Sequence, residues 1–327
     1  MKKRKKLSKR KVWWIFLLFI AFIYVGNSSF LVKERSGKPV LLAHRGLSQT
    51  FRMEGITNDT CTAERIDQPE HSYLENTLPS MEAAFAAGAD IVELDIKPTK
   101  DGKFAVFHDW TLDCRTNGTG MTKDYTMAEL KKLDIGYGYT SDHGKTHPFR
   151  GKGIGLMPSL DEVLEHFPHR SLLIHIKSND PNEGVQLAGK LAELPQKRLN
   201  KLTVYGGDEP IAALKKELPS LRVMSKETMK SCLIPYISAG WTGFMPDTCK
   251  HTQLHIPKKI TPWLWGWPDR FLNRMDKANT RVIVTGESGS HFSSGFDTPE
   301  DIKRLPEDYT GGIWTNRIDR IAPLYEK

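Results

Sequence analysis

The fold is decided by one stretch, Gly88 to Gly120, which reads GADIVELDIKPTKDGKFAVFHDWTLDCRTNGTG. Its segment Ile91–Lys97 alternates and contains β-branched residues, which predicts a buried strand. Glu93 and Asp95 are two residues apart on that strand, so both carboxylates point to the same face. Two acids among apolar neighbours are costly to bury without a cation, which favours a bound divalent metal. A solvated edge strand with an ordinary salt bridge is the alternative.

A second feature lies upstream, where another predicted strand ends in polar residues. Val40–Ala43 is apolar and is followed at once by His44, Arg45 and Gly46. Active-site residues of a (β/α)8 barrel come from the carboxyl ends of its strands. Glycine permits close approach of the backbone, and arginine offers a fork of donors for phosphate oxygens. The pattern therefore predicts a barrel active site that binds phosphate.

A further histidine lies one predicted hairpin beyond the acid pair. Gly102 marks a turn, and the short strand Phe104–Phe107 ends at His108. A single histidine is more often structural than catalytic, so a structural role is the alternative. The second histidine upstream, His44, favours a catalytic pair, since two imidazoles can hold opposite protonation states near neutral pH.

Several short motifs follow one another in a fixed order along the chain. They are His44-Arg45-Gly46, Glu75-Asn76-Thr77, Glu93-Leu94-Asp95, His108-Asp109, Thr111-Leu112, Thr116-Asn117-Gly118, Met127-Ala128-Glu129-Leu130 and Met157-Pro158-Ser159-Leu160. Together they resemble the glycerophosphodiester phosphodiesterase family, strongly in the first half of the chain and weakly in the second. The resemblance implies a TIM (β/α)8 barrel and metal-dependent hydrolysis of glycerophosphodiesters to sn-glycerol 3-phosphate and an alcohol.

The resemblance and the residue types together suggest a role for each candidate. His44 and His108 would share the acid and base roles, with the starting base left open. Arg45 and Lys177 would bind the substrate phosphate. Glu75 would orient Arg45 or support the metal site indirectly.

The strand Ser171–Lys177 carries the clearest departure from the family. There the family has a glutamate that binds the metal and, two residues on, a lysine that faces the phosphate. Here the lysine is Lys177, and His175 replaces the glutamate. Three interpretations stay open: His175 completes a metal site with Glu93 and Asp95, it holds the metal only through water, or activity has been lost. The family implies one Mg or Ca ion, whereas an imidazole ligand makes Mn or Zn an option.

Predicted strands and helices alternate along the chain. The first predicted helix is Asn76–Ala87, and later predicted strands are Leu202–Tyr205, Leu221–Ser225, Thr242–Met245, Arg281–Thr285 and Gly312–Thr315. Such repeats predict a closed parallel barrel or an open doubly wound sheet. No glycine-rich phosphate loop opens the first helix, which disfavours the open sheet, and the resemblance favours the barrel. Residues Gly286–Ser288 and Asn316–Arg317 fall just past the last two strands, where substrate contacts are expected.

The amino terminus carries the excess charge. Eight of the first eleven residues are Lys or Arg, which equals the formal net charge of +8. The remainder is therefore formally neutral, and no nucleic-acid partner is indicated. We interpret residues 1–11 as a basic cytoplasmic tail, 12–32 as a transmembrane signal anchor, 33–38 as a linker and 39–327 as the catalytic barrel on the extracytoplasmic (periplasmic or extracellular) side. A cleaved signal peptide is the alternative.

Two polar stretches, residues 47–74 and 134–155, are expected to be inserted loops of the barrel. An exported domain with four cysteines permits two disulfides. The pairs Cys61–Cys114 and Cys232–Cys249 are a working hypothesis among three connectivities. Structural zinc is not indicated by the cysteine and histidine spacing.

Two other functions remain compatible with these residues. The first is a lysophospholipase D-type phosphodiesterase acting at the membrane surface, which the apolar segment favours. The second is a catalytically inactive barrel that binds phosphodiesters, which only His175 favours. Retention of both histidines, both acids, Arg45 and Lys177 argues against an inactive site.

Overall fold

The computed structural model describes residues 8–29, 32, 35–57, 60–286 and 294–326. Its strands are β1 (Val40–Ala43), β2 (Ile91–Pro98), β3 (Phe104–Val106), β4 (Ser171–Ile176), β5 (Leu202–Gly206), β6 (Arg222–Met224), β7 (Gln253–Pro257), β8 (Arg281–Thr285) and β9 (Gly312–Thr315). Its α-helices are α1 (Lys9–Asn27), α2 (Leu78–Ala86), α3 (Met127–Leu130), α4 (Leu160–His166), α5 (Pro181–Ala192), α6 (Gln196–Leu199), α7 (Asp208–Glu217), α8 (Lys226–Ala239), α9 (Asp269–Lys277), α10 (Pro299–Ile302) and α11 (Ile318–Ile321).

Eight of the strands run parallel and form a nearly closed barrel in the order β6-β5-β4-β2-β1-β9-β8-β7. A parallel bridge between Val223 and Thr252 joins β6 to the residue before β7 and brings the two ends of the sheet together. Strand β3 lies outside this order and pairs antiparallel with β2. The predicted (β/α)8 barrel is confirmed.

The core has an outer layer and a smaller inner one. The outer layer lies between strands and helices and includes Leu41 and Ala43 of β1. The inner layer fills the barrel and consists of Leu42, Ile91, Leu173, Ile283 and Trp314. Because side chains alternate along a strand, every second residue after an inner-layer residue also faces the barrel axis. This alternation aims the polar residues at the strand ends into the barrel mouth.

The strand predicted at Thr242–Met245 is wrong. Residues Gly240–Thr242 form a 3-10 helix, and Gly243 has a φ of 91°, a left-handed conformation that ends any extended run. Phe244 is exposed rather than buried. The strand at this place in the barrel is β7, which reads QLHIP. Its glutamine, histidine and proline interrupt the apolar alternation by which a strand is predicted from sequence.

The predicted inserted loops pack together beside the barrel. Residues from 47–74 and 134–155 share a second apolar cluster with Phe107 and Leu112, which follow β3. The Cys61–Cys114 disulfide joins the first loop to this region, so these loops are built into the fold.

The hypothesis about cysteine pairing is confirmed at both disulfides. Cys61 pairs with Cys114 across a sequence separation of 53 residues, and Cys232 with Cys249 across 17. Restriction of the unfolded chain by loops of these lengths stabilises the fold by about 4 and about 3 kcal/mol, respectively.

Helix α1 lies apart from both core layers. It begins at Lys9 and ends at Asn27, where Ser28 is extended, so it overlaps the predicted anchor segment 12–32 over residues 12–27. None of its residues is buried, and by length and composition it can cross a membrane. The structure therefore contains one apolar helix that fits either a membrane anchor or a signal sequence.

Candidate active site

The predicted site residues gather at the carboxyl ends of neighbouring strands. Strands β9, β1, β2 and β4 are adjacent in the barrel, and Asp95 is paired in register with His175. The structure brings all eight predicted residues into this mouth: His44, Arg45, Glu75, Glu93, Asp95, His108, His175 and Lys177. Of the substrate contacts expected past the last strands, Glu287 and Ser288 lie outside the described residues.

The turn after β1 fixes the position of Arg45. Arg45 and Asn76 both adopt left-handed backbone conformations, with φ values of 61° and 59°, and the Asn76 amide donates to the Arg45 carbonyl at 3.0 Å. Gly46 also has a positive φ, and a Cβ there would lie 2.6 Å from Ser80 Oγ and 2.8 Å from its carbonyl carbon. Glycine is therefore required at position 46. Left-handed backbone at two non-glycine residues is a strain typical of functional sites.

Glu93, Asp95 and His175 form a cluster that can bind a metal ion. Each offers a ligand atom, and these atoms lie within 4.8 Å of one another. The His175 Nδ1 atom is 2.9 Å from Asp95 Oδ1 and 3.8 Å from Glu93 Oε1. Both carboxylates are buried, whereas the imidazole is a quarter exposed. The donor set of two carboxylates and one imidazole fits a divalent cation such as Mn or Zn.

Without a metal ion, the two carboxylates of the acid pair are buried close together and their negative charges repel each other. Burial, and then the charge of Asp95, raise the pKa of Glu93 to about 8. Burial opposes ionisation of Asp95 too, but Arg45 outweighs it and holds the pKa of Asp95 well below its usual range. Ionisation of both carboxylates at once is therefore disfavoured unless a further cation lies beside them.

Tyr205 and Asn76 support the acid pair, although sequence reasoning gave neither a role. The Tyr205 hydroxyl donates to Glu93 Oε1 at 2.7 Å, and its ring stacks on His175 at 4.1 Å. Asn76 Nδ2 donates to Asp95 Oδ2, and the Asp95 amide donates back to Asn76 Oδ1, both at 3.0 Å. In the sequence, Tyr205 was only the last residue of a predicted strand, and Asn76 was only part of a motif and the first residue of a predicted helix.

Glu75 lies between two buried arginines. Its Oε1 accepts from Arg45 Nη1 and its Oε2 lies against Arg115 Nη1, both at 2.9 Å. Arg45 Nε also faces Asp95 Oδ2 at 3.2 Å. Glu75 therefore holds the guanidinium of Arg45 against the acid pair, in the geometry expected for an orienting residue.

Arg115 is a central residue that sequence analysis missed. It is 2% exposed and donates to Asp109 Oδ2 at 2.8 Å, to the Tyr139 hydroxyl at 2.6 Å and to Thr62 Oγ1 at 2.5 Å. Thr62 and Tyr139 come from the two inserted stretches. Contacts between segments so far apart in the chain leave no local sequence pattern, so Arg115 could not be recognised from the sequence. Arg115 thus joins these stretches to the site.

His108 has both ring nitrogens occupied. Its Nδ1 is 2.6 Å from Asp109 Oδ1, and since an ionised carboxylate only accepts, Nδ1 carries the proton. Its Nε2 then offers a lone pair to Lys177 Nζ at 2.5 Å. Burial, followed by the charge of Arg45, lowers the pKa of His108 to about 4.

His44 is held by a neutral amide instead of a carboxylate. Asn316 Nδ2 donates to Asp297 Oδ2 at 2.8 Å, which turns Asn316 Oδ1 towards His44 Nδ1 at 2.7 Å. The proton of neutral His44 is therefore assigned to Nδ1, leaving Nε2 as an acceptor. Burial and then Arg45 hold the pKa of His44 well below its usual range.

Comparison with known proteins agrees with this geometry. Residues 44–240 match the model of the Glycerophosphoryl diester phosphodiesterase family. The chain belongs to this family. A glycerophosphodiester phosphodiesterase of Bacillus subtilis (strain 168) is 43% identical over 116 residues, 34% of this chain and 38% of that protein. A human lysophospholipase D is 34% identical over 245 residues, 72% of this chain and 70% of that protein.

A solved structure shares the fold. It is a phosphodiesterase from Oleispira antarctica in complex with the product sn-glycerol-3-phosphate, with a TM-score of 0.56 and 17% identity over 89% of this chain and 98% of that chain. At this identity the likeness shows the barrel alone. The match to the Bacillus phosphodiesterase spans well under half of that protein's length.

Replacing Arg115 by Met should lower the free energy of unfolding by about 3–5 kcal/mol, because Glu75 and Asp109 would be left buried without their shared cation. Arg320→Met removes a half-exposed arginine that pairs with Glu70 and should cost less than about 1 kcal/mol. Urea unfolding of the full chain in detergent measures both. Similar losses for the two variants would contradict the central role of Arg115.

Proposed function

We propose that this chain hydrolyses glycerophosphodiesters to sn-glycerol 3-phosphate and an alcohol, with the help of one divalent metal ion. The observation that carries this proposal is the convergence of Glu93, Asp95 and His175 with two histidines and two cations in one barrel mouth. The names of the Bacillus and human relatives, and the product in the Oleispira structure, support the same reaction class.

The substrate phosphate would lie above the acid pair. A divalent cation held by Glu93, Asp95 and His175 would supply positive charge to the phosphate oxygens and lower the pKa of a nearby hydroxyl group. Arg45 adds a fixed guanidinium that its contacts already aim at this place. Lys177 adds an ammonium on the side of His108. Such prearranged charge stabilises the transition state of phosphodiester cleavage.

The two histidines then take different roles. His44 begins as the base, because its neutral ring keeps Nε2 free to accept the proton of the neighbouring glycerol hydroxyl as that hydroxyl attacks phosphorus. Water then opens the resulting cyclic phosphate to give glycerol 3-phosphate. On the other side, Lys177 Nζ donates to His108 Nε2, and a proton passed along this contact reaches the alcohol oxygen as its bond to phosphorus breaks. Asp109 and Asn316 hold the two rings in the required tautomers.

Replacing either His44 or His108 by Asn should lower kcat for glycerophosphodiester hydrolysis by about 100- to 10,000-fold, because each removes one proton-transfer group. The reaction is measured as release of glycerol 3-phosphate by the full chain in detergent. His166→Asn is the matched control, since His166 is exposed and pairs with Glu82. Full activity in either site variant would exclude the two-histidine mechanism.

The metal preference should reflect His175. Chelator-treated protein should regain activity with Mn or Zn better than with Mg or Ca, because an imidazole ligand suits the former pair. His175→Glu, which adds a third carboxylate, should shift the preference towards Mg or Ca. The assay is again release of glycerol 3-phosphate.

Two results would contradict this metal site. An unchanged metal preference in His175→Glu would show that His175 is not a ligand. Activity in His175→Glu together with none in the parent, whatever the metal, would mean that the natural chain no longer hydrolyses this substrate. The inactive phosphodiester-binding barrel would then be the better description.

A lysophospholipase D activity is the second candidate. The human relative of that name and the apolar helix α1 both favour it. Faster release of the headgroup from dispersed lysophospholipid than from the matching glycerophosphodiester would establish this activity instead.

We also propose that α1 is an uncleaved signal anchor between a cytoplasmic tail (1–11) and an extracytoplasmic barrel (39–327). The carboxyl end of the helix contacts the barrel through Asn27 Nδ2, which donates to the Trp241 carbonyl at 2.9 Å. Two disulfides support an oxidising compartment. The positive-inside rule supports the orientation.

The full chain should stay in the membrane pellet after alkaline carbonate washing, with the barrel cut by protease added outside the cell membrane. Replacing both Leu18 and Phe19 by Arg should release it, because each central arginine disfavours insertion by about 2.5–3.5 kcal/mol. Ser8→Arg at the start of the helix should not. A mature protein that begins after residue 27 would show instead that α1 is a cleaved signal peptide.

A further inference from the structure

Lys97 is a buried lysine of the barrel mouth that the proposed mechanism does not use. It is 5% exposed, and among the described residues Nζ has neither a hydrogen-bond acceptor nor a carboxylate at ion-pairing distance. Its ammonium lies over the ring of Trp110, 3.4 Å from the ring centroid. Burying an ammonium without hydrogen bonds is costly, and a cation–π contact returns only about 1–2 kcal/mol. A group in this position is suited to receive an anion.

The strand register places Lys97 beside a second cation. Asp95 pairs with His175 and Ile96 with Ile176, so the next positions on β2 and β4 are Lys97 and Lys177. By alternation both face the barrel axis, Lys97 after Asp95 on β2 and Lys177 after His175 at the end of β4. Lys177 turns its ammonium to His108, whereas Lys97 turns towards Trp110, two residues further along the same loop. Two like charges held side by side point to an anionic occupant between or above them.

Lys97 lies at the same level of the barrel as Lys177, but its ammonium is on the side of Trp110 instead of His108. A strand advances about 3.3 Å per residue, so the Cα of Lys97 lies about 6.6 Å beyond that of Asp95 along β2. Trp110 is about one third exposed at this rim. Lys97 therefore lies to one side of the groups that would hold the scissile phosphate, where a neighbouring part of the substrate can reach it.

The carboxylates around Lys97 are engaged elsewhere or too distant to pair with it. Asp95 contacts Arg45, Asn76 and His175, and Asp109 contacts His108 and Arg115. Glu183 of α5 contributes negative charge but forms no ion pair with Lys97.

We propose that Lys97 forms a second anion-binding subsite, which takes a negatively charged group on the leaving alcohol of a glycerophosphodiester. The proposal rests on the phosphodiesterase function above. The glycerol half is uncharged in every glycerophosphodiester, so a second negative charge can come only from the alcohol, as a further phosphate or carboxylate. A quaternary ammonium would compete with Lys97 for the face of Trp110 and be repelled by it.

Three substrates test this subsite with the full chain in detergent: glycerophosphocholine, glycerophosphoglycerol and glycerophosphoglycerol phosphate. Their alcohols are cationic, neutral and anionic. The parent should show the highest kcat/KM for the anionic alcohol and the lowest for choline. Lys97→Met should reduce the preference for the anionic over the neutral alcohol about tenfold or more, the size expected for one lost charged hydrogen bond.

Two variants control for net charge and for folding. Lys103→Met removes an exposed lysine of the β2–β3 turn and should keep the preference of the parent. Lys97→Arg keeps the charge and should retain the preference. An equal loss for all three substrates in Lys97→Met, or a parent without preference among them, would overturn the subsite. Failure of the parent to hydrolyse any of the three substrates would overturn the phosphodiesterase function itself, so the two failures are distinguishable.

Discussion

The burial of two carboxylates on one strand is the constraint on which the rest of the site depends. Glu93 and Asp95 are almost fully inaccessible, and their mutual repulsion must be balanced by cations and donors. Arg45 supplies the nearest fixed charge, and Glu75 and Arg115 extend the alternation of charge outwards. Each buried charge is stabilised by the opposite charge beside it, which explains why so many charged groups are buried in one barrel mouth.

Local patterns predicted alternating strands and helices and singled out the acid pair, whereas the family resemblance decided for the barrel and supplied the candidate residues at the end of β4. Strands such as Ile91–Pro98 have clear apolar alternation, and the polar residues that follow them stand out against it. The prediction failed at β7, because Gln253, His255 and Pro257 resemble a loop, and the apolar residues near Phe244 looked like a strand. Tertiary packing, which is not encoded locally, decided both places.

The residues that support the site were harder to predict than those that form it. Arg115 and Tyr205 act through contacts between segments far apart in the chain, and neither occupies a distinctive sequence pattern. Asn316 was expected near the substrate, but its contact with His44 depends on Asp297 from another segment. A sequence motif reports the reacting groups, whereas their orientation comes from the assembled fold.

The weak junction between β6 and β7 determines where the barrel can open locally. These strands are joined through the bridge from Val223 to Thr252, whereas β2 and β4 are paired along the whole segment from Ile91 to Ile96. The seam is therefore the place where the barrel opens at least cost. Cys232 and Cys249 tie the connection between β6 and β7 and limit how far such an opening can spread. Because the seam is opposite β1 and β2 in the strand order, an opening there would lie on the side of the barrel remote from the acid pair.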